Sequence, residues 1–292
     1  MYENLAVLAL FAFIYSSVAG GIQRTLISGP MVFIGFGLIA GPLGLGILNF
    51  DVNNTDLRML ADLTLAIILF IDASLADMSV LRRSFSIPQR MLVAGLPFII
   101  LFGFVVAYLL FDGLAIFELA ILATMLAATD AALGKAVITN QQVPVDIRES
   151  LNVESGLNDG ICVPILFLFI ALATGSSHEG ESTQLALTLL VKEIGIGLVV
   201  GICLAAAGAW FLTSCSKRNW LDKIWLQLPV VALAVASFTV AQSLHGSGYV
   251  AAFVGGLLFG FLSRPYKHKL LHAAEGTGET LALATWVVFG SA

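Results

Sequence analysis

The stretch AATDAALGKAVITNQQVPVDIRESLNVESGLNDGICVP, residues 127–164, decides how this chain is read. It sets Asp130, Glu154 and Asp159, together with Thr129, Ser155 and Asn158, between the apolar runs ELAILATML (118–126) and ILFLFIALA (165–173). A carboxylate at the centre of a bilayer costs about 2.5 kcal/mol or more, so acids retained at that depth mark an ion or proton pathway.

The surroundings are those of a membrane. Of 292 residues 59% are hydrophobic and only 11% charged, and the mean hydropathy is +0.96; soluble domains are about one-quarter charged. Runs long enough to cross a hydrocarbon core of about 30 Å recur throughout. Spans are expected over 5–20, 30–48, 59–76, 91–111, 115–138, 150–174, 194–213, 224–244 and 248–262, with a tenth beginning near Thr280. The chain therefore reads as all-α and polytopic, one transmembrane domain over 1–292. The start MYENLAVLALFAF has no basic n-region, so the first run is expected to stay as a helix. The segment TQLALTLLVKEI (183–194) carries Lys192 and Glu193 and is expected at the interface. The final LALATWVVFGSA (281–292) is too short to span, which reads as a truncated chain lacking its C-terminal core helices. Cys162, Cys203 and Cys215 have no ligand spacing and read as small apolar side chains. No zinc motif, phosphate loop or basic nucleic-acid patch is present, so no cofactor and no nucleic-acid partner is expected.

Charge sets the orientation. The loops after the odd-numbered spans hold Arg24; Arg82, Arg83 and Arg90; Arg148; Lys217, Arg218 and Lys223; and Arg264, Lys267 and Lys269, eleven of the fourteen Lys and Arg residues. The opposite loops are mostly acidic, with Asp51, Asp56, Asp112, Glu179 and Glu181. Odd loops are therefore expected in the cytoplasm and the N-terminus outside, with Trp220 and Trp225 at a cytoplasmic boundary. Glycines four apart, Gly37/Gly41, Gly197/Gly201 and Gly256/Gly260, point to close helix approaches.

Depth unites the acids. At 1.5 Å per residue, Asp72 lies roughly 20 Å along the third span and Asp130 roughly 22 Å along the fifth, both running inward, and Asp159 roughly 13 Å along the outward sixth. All three fall between the midplane and the cytoplasmic side. On the sixth span Ser155 and Asp159 are four apart and share a face; Glu154 and Asn158 form a second such pair, rotated by about 100°. If the backbone loosens at Thr129-Asp130, freed carbonyls would line a polar cavity there. Hydroxyls, carboxylates and carbonyls make a hard-oxygen site suited to Na⁺, Li⁺ or H⁺ and without a soft ligand. Lys135 reads as a snorkelling cation and Glu118 as an interfacial acid.

At ATDAALG and VESGLNDG, and again at GSGYVAAFVGGLLFG (246–260), the sequence resembles the NhaP-like sodium–proton antiporters of the cation–proton antiporter superfamily. The resemblance implies an inverted-repeat antiporter fold with a discontinuous helix at Thr129-Asp130. It implies Asp159 as the ion- and proton-carrying carboxylate, with Thr129, Asp130 and Ser155 completing the ion site and Na⁺ held at Asp159, Ser155 and Thr129. Asp72 matches a position usually held by Glu. Asn158 and Glu154 would organise the site, Glu154 pairing with an Arg of a later helix. It further implies exchange of Na⁺, Li⁺ or K⁺ for H⁺ by alternating access, a role in pH homeostasis, a homodimer in the lipid bilayer of a bacterial plasma membrane, and no enzyme. Electrogenic relatives carry a second Asp where this chain has Asn158, which favours electroneutral exchange.

Two other classes fit less well. A symporter of small carboxylates would want cationic contacts, for which Lys135 is the sole candidate. An intramembrane aspartyl protease needs two acids sharing a proton, but the Tyr-Asp and Gly-x-Gly-Asp contexts are missing and Thr129, Ser155 and Glu154 would have no task.

Overall fold

A computed structural model of the chain describes residues 2–22, 25, 27–48, 55–75, 86–129, 142–175, 182–218, 220–222, 225–226, 228–263 and 267–291. These form helices and connections, with no strand among the described residues. The helices are α1 (Tyr2–Ile22), α2 (Gly29–Ala40), α3 (Thr55–Leu75), α4 (Ser86–Leu110), α5 (Ile116–Ala127), α6 (Val145–Gly175), α7 (Ser182–Lys217), α8 (Leu228–Ser243), α9 (Gly248–Leu262) and α10 (Lys267–Ser291). Each expected span has its helix. The residues Glu3–Ile22, Ser86–Leu110 and Val191–Lys217 are long and apolar enough to cross a bilayer unaided.

Several boundaries depart from the sequence expectation. α2 stops at Ala40, because Gly41-Pro42 turns the chain and the amides of Gly44 and Gly46 bond back to Gly41. The segment around Lys192 and Glu193 is not a separate interfacial piece; it is continuous with α7, whose 36 residues are about 54 Å long and exceed the hydrocarbon core. α10 begins at Lys267, not near Thr280, and its 25 residues include Lys267 and Lys269 in the first turn. Its polar first half hides it from a hydropathy reading. Residues 130–141, where the fifth span was expected to continue, lie outside the described residues.

α4 contains a widened π-helical turn, Met91–Gly95, in which Leu96 N–H donates to Met91 O. Pro97 gives the reason. It has no N–H to offer Val93, and its ring would collide with that carbonyl in a regular turn, so one residue is absorbed by a looser loop of backbone.

The helices divide into two compact units, Met1–Ile68 with His272–Ala292, and Leu69–Leu271. In the first, α1 stacks Phe11 on Phe36 of α2 at 3.9 Å, and Tyr15 meets Phe33 edge-on. α2 lies against α10 through Gly37 and Gly41, where a Cβ would run into the backbone of Val287 and the Cα of Ser291. Thr285 of α10 donates to the hydroxyl of Thr64 on α3 at 3.1 Å.

The second unit is built around α9. Its residues Gly248–Phe253, Gly255, Gly256, Phe259 and Gly260 are buried. On one side Gly197 and Gly201 of α7 meet the backbone of Ser247 and Ala251; on another, Gly256 and Gly260 meet the carbonyls of Phe70 and Ser74 on α3. The glycine pairs thus do what their spacing indicates. They remove side chains where backbones touch, which drives helix association in lipid, where the hydrophobic effect does not. Ser74 seals the contact, its hydroxyl within 2.7 Å of Phe70 O and 3.0 Å of Gly256 O. Phe13 of α1 and Leu109 of α4 are 71% and 73% exposed, apolar surface that lipid covers at no cost.

Candidate functional site

The site is assembled where α5 stops. Glu118 opens that helix, its carboxylate accepting from Ala115 N–H at 2.8 Å, and so caps the N-terminus. Nine residues later the helix ends at Ala127, and Ala128 turns extended with φ −63° and ψ 132°. Nothing in the local sequence forces this stop: MLAATDAALG is rich in alanine, the best helix former. The last carbonyls of a helix need partners, and here one partner comes from α6.

Asn158 of α6 is that partner. It is 2% exposed. Its Nδ2 donates to Ala127 O at 3.3 Å, to Thr129 Oγ1 at 2.9 Å and to Glu154 Oε1 at 3.4 Å. On its other side Oδ1 accepts from Cys162 Sγ at 2.9 Å. An amide nitrogen has two protons, so three acceptors share them. Leu96 of α4, Ala127 and Cys162 form a small apolar cluster beside it, with Ile100 and Ile161 packed on. α4 reaches α5 through Gly103, where a Cβ would stand 3.5 Å from that of Ala123.

The structure therefore joins three of the expected residues, Thr129, Asn158 and Glu154, in one hydrogen-bonded group spanning the end of α5 and one face of α6. The Glu154–Asn158 pair meets as its four-residue spacing indicates. Asp159 and Ser155 lie on the backbone of α6, one residue after and three before Asn158, while their side chains are outside the described residues; Asp130 is outside them too. Asp72 is half-buried on α3, between Phe70 and Ser74, the two residues whose carbonyls meet α9. Two members of the group went unread in the sequence. The Ala127 carbonyl carries no side-chain signal. Cys162 did carry one, because it stands four residues after Asn158 and so shares its face.

The chemistry available is that of uncharged oxygen and amide groups beside the Glu154 carboxylate. A helix end with an extended residue after it exposes backbone that lipid cannot satisfy, and such backbone is tolerated at depth only when protein or a polar cavity supplies partners. Asn158 supplies one to the Ala127 carbonyl and holds the Thr129 hydroxyl beside it.

Comparison with known proteins identifies the family. A family profile described as "Sodium/hydrogen exchanger, transmembrane" matches residues 7–292. The K(+)/H(+) antiporter NhaP2 of Shewanella sp. (strain ANA-3) is 23% identical over 260 residues, covering 89% of this chain and 44% of that protein. The K(+)/H(+) antiporter NhaP of Alkalimonas amylolytica is 24% identical over 294 residues, 98% of this chain and 49% of that protein. A probable Na(+)/H(+) antiporter of Schizosaccharomyces pombe is 26% identical over 143 residues, 46% and 19% of the two chains. The chain spans about half the length of the bacterial relatives it matches. With a profile match running from α1 to the last residue, the chain belongs to the transmembrane sodium/hydrogen exchanger family.

Proposed function

We propose that this protein exchanges a monovalent cation, Na⁺, Li⁺ or K⁺, for H⁺ across the membrane by alternating access, with Asp159 carrying cation and proton in turn. One carboxylate serves both because it cannot hold the two together. Thr129, Ser155 and Asp130 supply the remaining oxygen ligands, Asp72 contributes from α3, and Asn158 and Glu154 hold the frame. The observation that carries the reading is the end of α5: a helix halted at Ala127, with its carbonyl and Thr129 held by the buried amide next in sequence to Asp159. K⁺ stands beside Na⁺ because two of the relatives are named K(+)/H(+) antiporters. The protein works as a transporter and not as an enzyme, in a bacterial plasma membrane, as a homodimer, with its N-terminus outside and the loops after odd-numbered helices in the cytoplasm.

Asp159→Asn is the test. In everted membrane vesicles with a pH-sensitive dye, adding Na⁺ or K⁺ should dissipate the acid interior for the wild type and leave it intact for the variant. An amide carries neither a proton nor a counter-charge. Robust exchange by Asp159→Asn would remove the central claim. Orientation has its own check: a lone cysteine at Lys217 should resist an impermeant thiol reagent outside intact cells, and one at Asn53 should react.

A further inference from the structure

We infer that Cys162 is a positioning residue: its thiol sets which way the Asn158 amide faces, and through that amide it holds the end of α5 in place. The inference rests on the antiporter reading for its effect on transport, though not for the geometry.

Cys162 and Asn158 are 4% and 2% exposed, so both are shut off from bulk solvent. The Asn158 side chain could in principle sit in either of two orientations related by a half-turn about its last bond. In one, Oδ1 takes the Cys162 proton at 2.9 Å and Nδ2 faces Ala127 O, Thr129 Oγ1 and Glu154 Oε1. In the other, a carbonyl oxygen would confront the Ala127 carbonyl and the Glu154 carboxylate, and the amide protons would face sulfur, a weak acceptor. The thiol therefore acts as a selector. It satisfies the oxygen at the side where no other donor is described, which leaves the nitrogen for α5. A valine at 162 would fill the space and leave Oδ1 buried without that donor. A serine would restore a donor, although a helical hydroxyl also bonds its own i−4 carbonyl, as Thr124 does to Ala120 O at 2.8 Å.

Two readouts test this. The first needs no transport. In protein carrying Cys203→Ser and Cys215→Ser, the one remaining S–H stretch reports Cys162 by infrared spectroscopy. It should be shifted to the low frequency of a hydrogen-bonded thiol, and should move up in Asn158→Ala. A band at the free-thiol position, or one indifferent to Asn158→Ala, overturns the inference. The second is the cation dependence of exchange in vesicles. Cys162→Val should raise the apparent KM about three- to tenfold, the worth of one buried hydrogen bond, with the maximal rate little changed, and Cys162→Ser should recover most of the loss. Equal KM values for wild type and Cys162→Val, or a Cys162→Ser variant as impaired as Cys162→Val, would also overturn it. If the full-length wild type shows no cation–proton exchange, the antiporter reading fails and the infrared band alone decides between positioning and filler.

Discussion

Replacing Asn158 with alanine isolates what holds α5 in place. The change deletes the Nδ2 bonds to Thr129 Oγ1 at 2.9 Å and to Ala127 O at 3.3 Å, the two that reach α5. A good intramolecular hydrogen bond contributes about 1 kcal/mol net, and a long one about half that. Removing a packed amide from a site 2% exposed adds roughly another 0.5 kcal/mol through lost contacts. The end of α5 should therefore be destabilised locally by about 2 kcal/mol, which at 1.4 kcal/mol per tenfold is a roughly 30-fold rise in the population of opened states. Hydrogen–deuterium exchange in lipid nanodiscs measures this residue by residue. Amides near the end of α5, at Met125–Ala127, should exchange about 30-fold faster, while those of α9, which takes no part in the group, keep their protection. Less than a threefold change at α5 would show that packing, not Asn158, sets where the helix stops. Equal acceleration across α9 would show a global loss of stability and refute the local account.

Other consequences are open to direct test. Gly256→Ala places a methyl group against the Phe70 carbonyl, and overpacking of that kind costs about 1–3 kcal/mol; thermal unfolding in nanodiscs should fall measurably, whereas Gly20→Ala in α1, where a Cβ meets nothing within 4 Å, should be neutral or slightly stabilising. Exchange should be electroneutral, because residue 158 is an amide and the proposal makes Asp159 the principal proton carrier. One uncompensated charge across 100 mV is worth about 2.3 kcal/mol, so liposome exchange rates that hold steady between zero and a negative clamped potential fit the proposal, and sustained potential-driven acceleration contradicts it.

Hydropathy and composition made the fold class and the order of the helices legible, since lipid admits little else than helices with satisfied backbones. The glycine pairs were legible as well, because only packing explains small residues four apart in such company. Boundaries were harder where polarity and helicity part ways. The first half of α10 carries Lys267, Lys269, Glu275 and Glu279 and looks like a loop to any hydropathy window, yet it is helical. The lead-in to α7 is the same case. At the candidate site, the Thr-Asp and Asn-Asp pairs and their depth stood out. The stop at Ala127 did not, because the partner found by its carbonyl is a side chain thirty-one residues away and the alanine-rich stretch itself gives no sign of it. Cys162 reads as a small apolar side chain and does sit in the apolar cluster with Leu96 and Ala127; only its spacing from Asn158 hints at the hydrogen bond that its thiol also donates.

Asn158 Nδ2 faces three acceptors with two protons to give. A saturated network resists change, since any movement orphans a buried group and costs its full desolvation. Here three acceptors compete for the two protons of one nitrogen, so the bonds at 3.3 and 3.4 Å are already compromises. Withdrawing Thr129 or Glu154 to serve another ligand lets the remaining partners tighten, and part of the loss is returned at once. The end of α5 is thus fastened by a latch with slack in it, firm enough to define a place and cheap enough to re-form when a partner leaves.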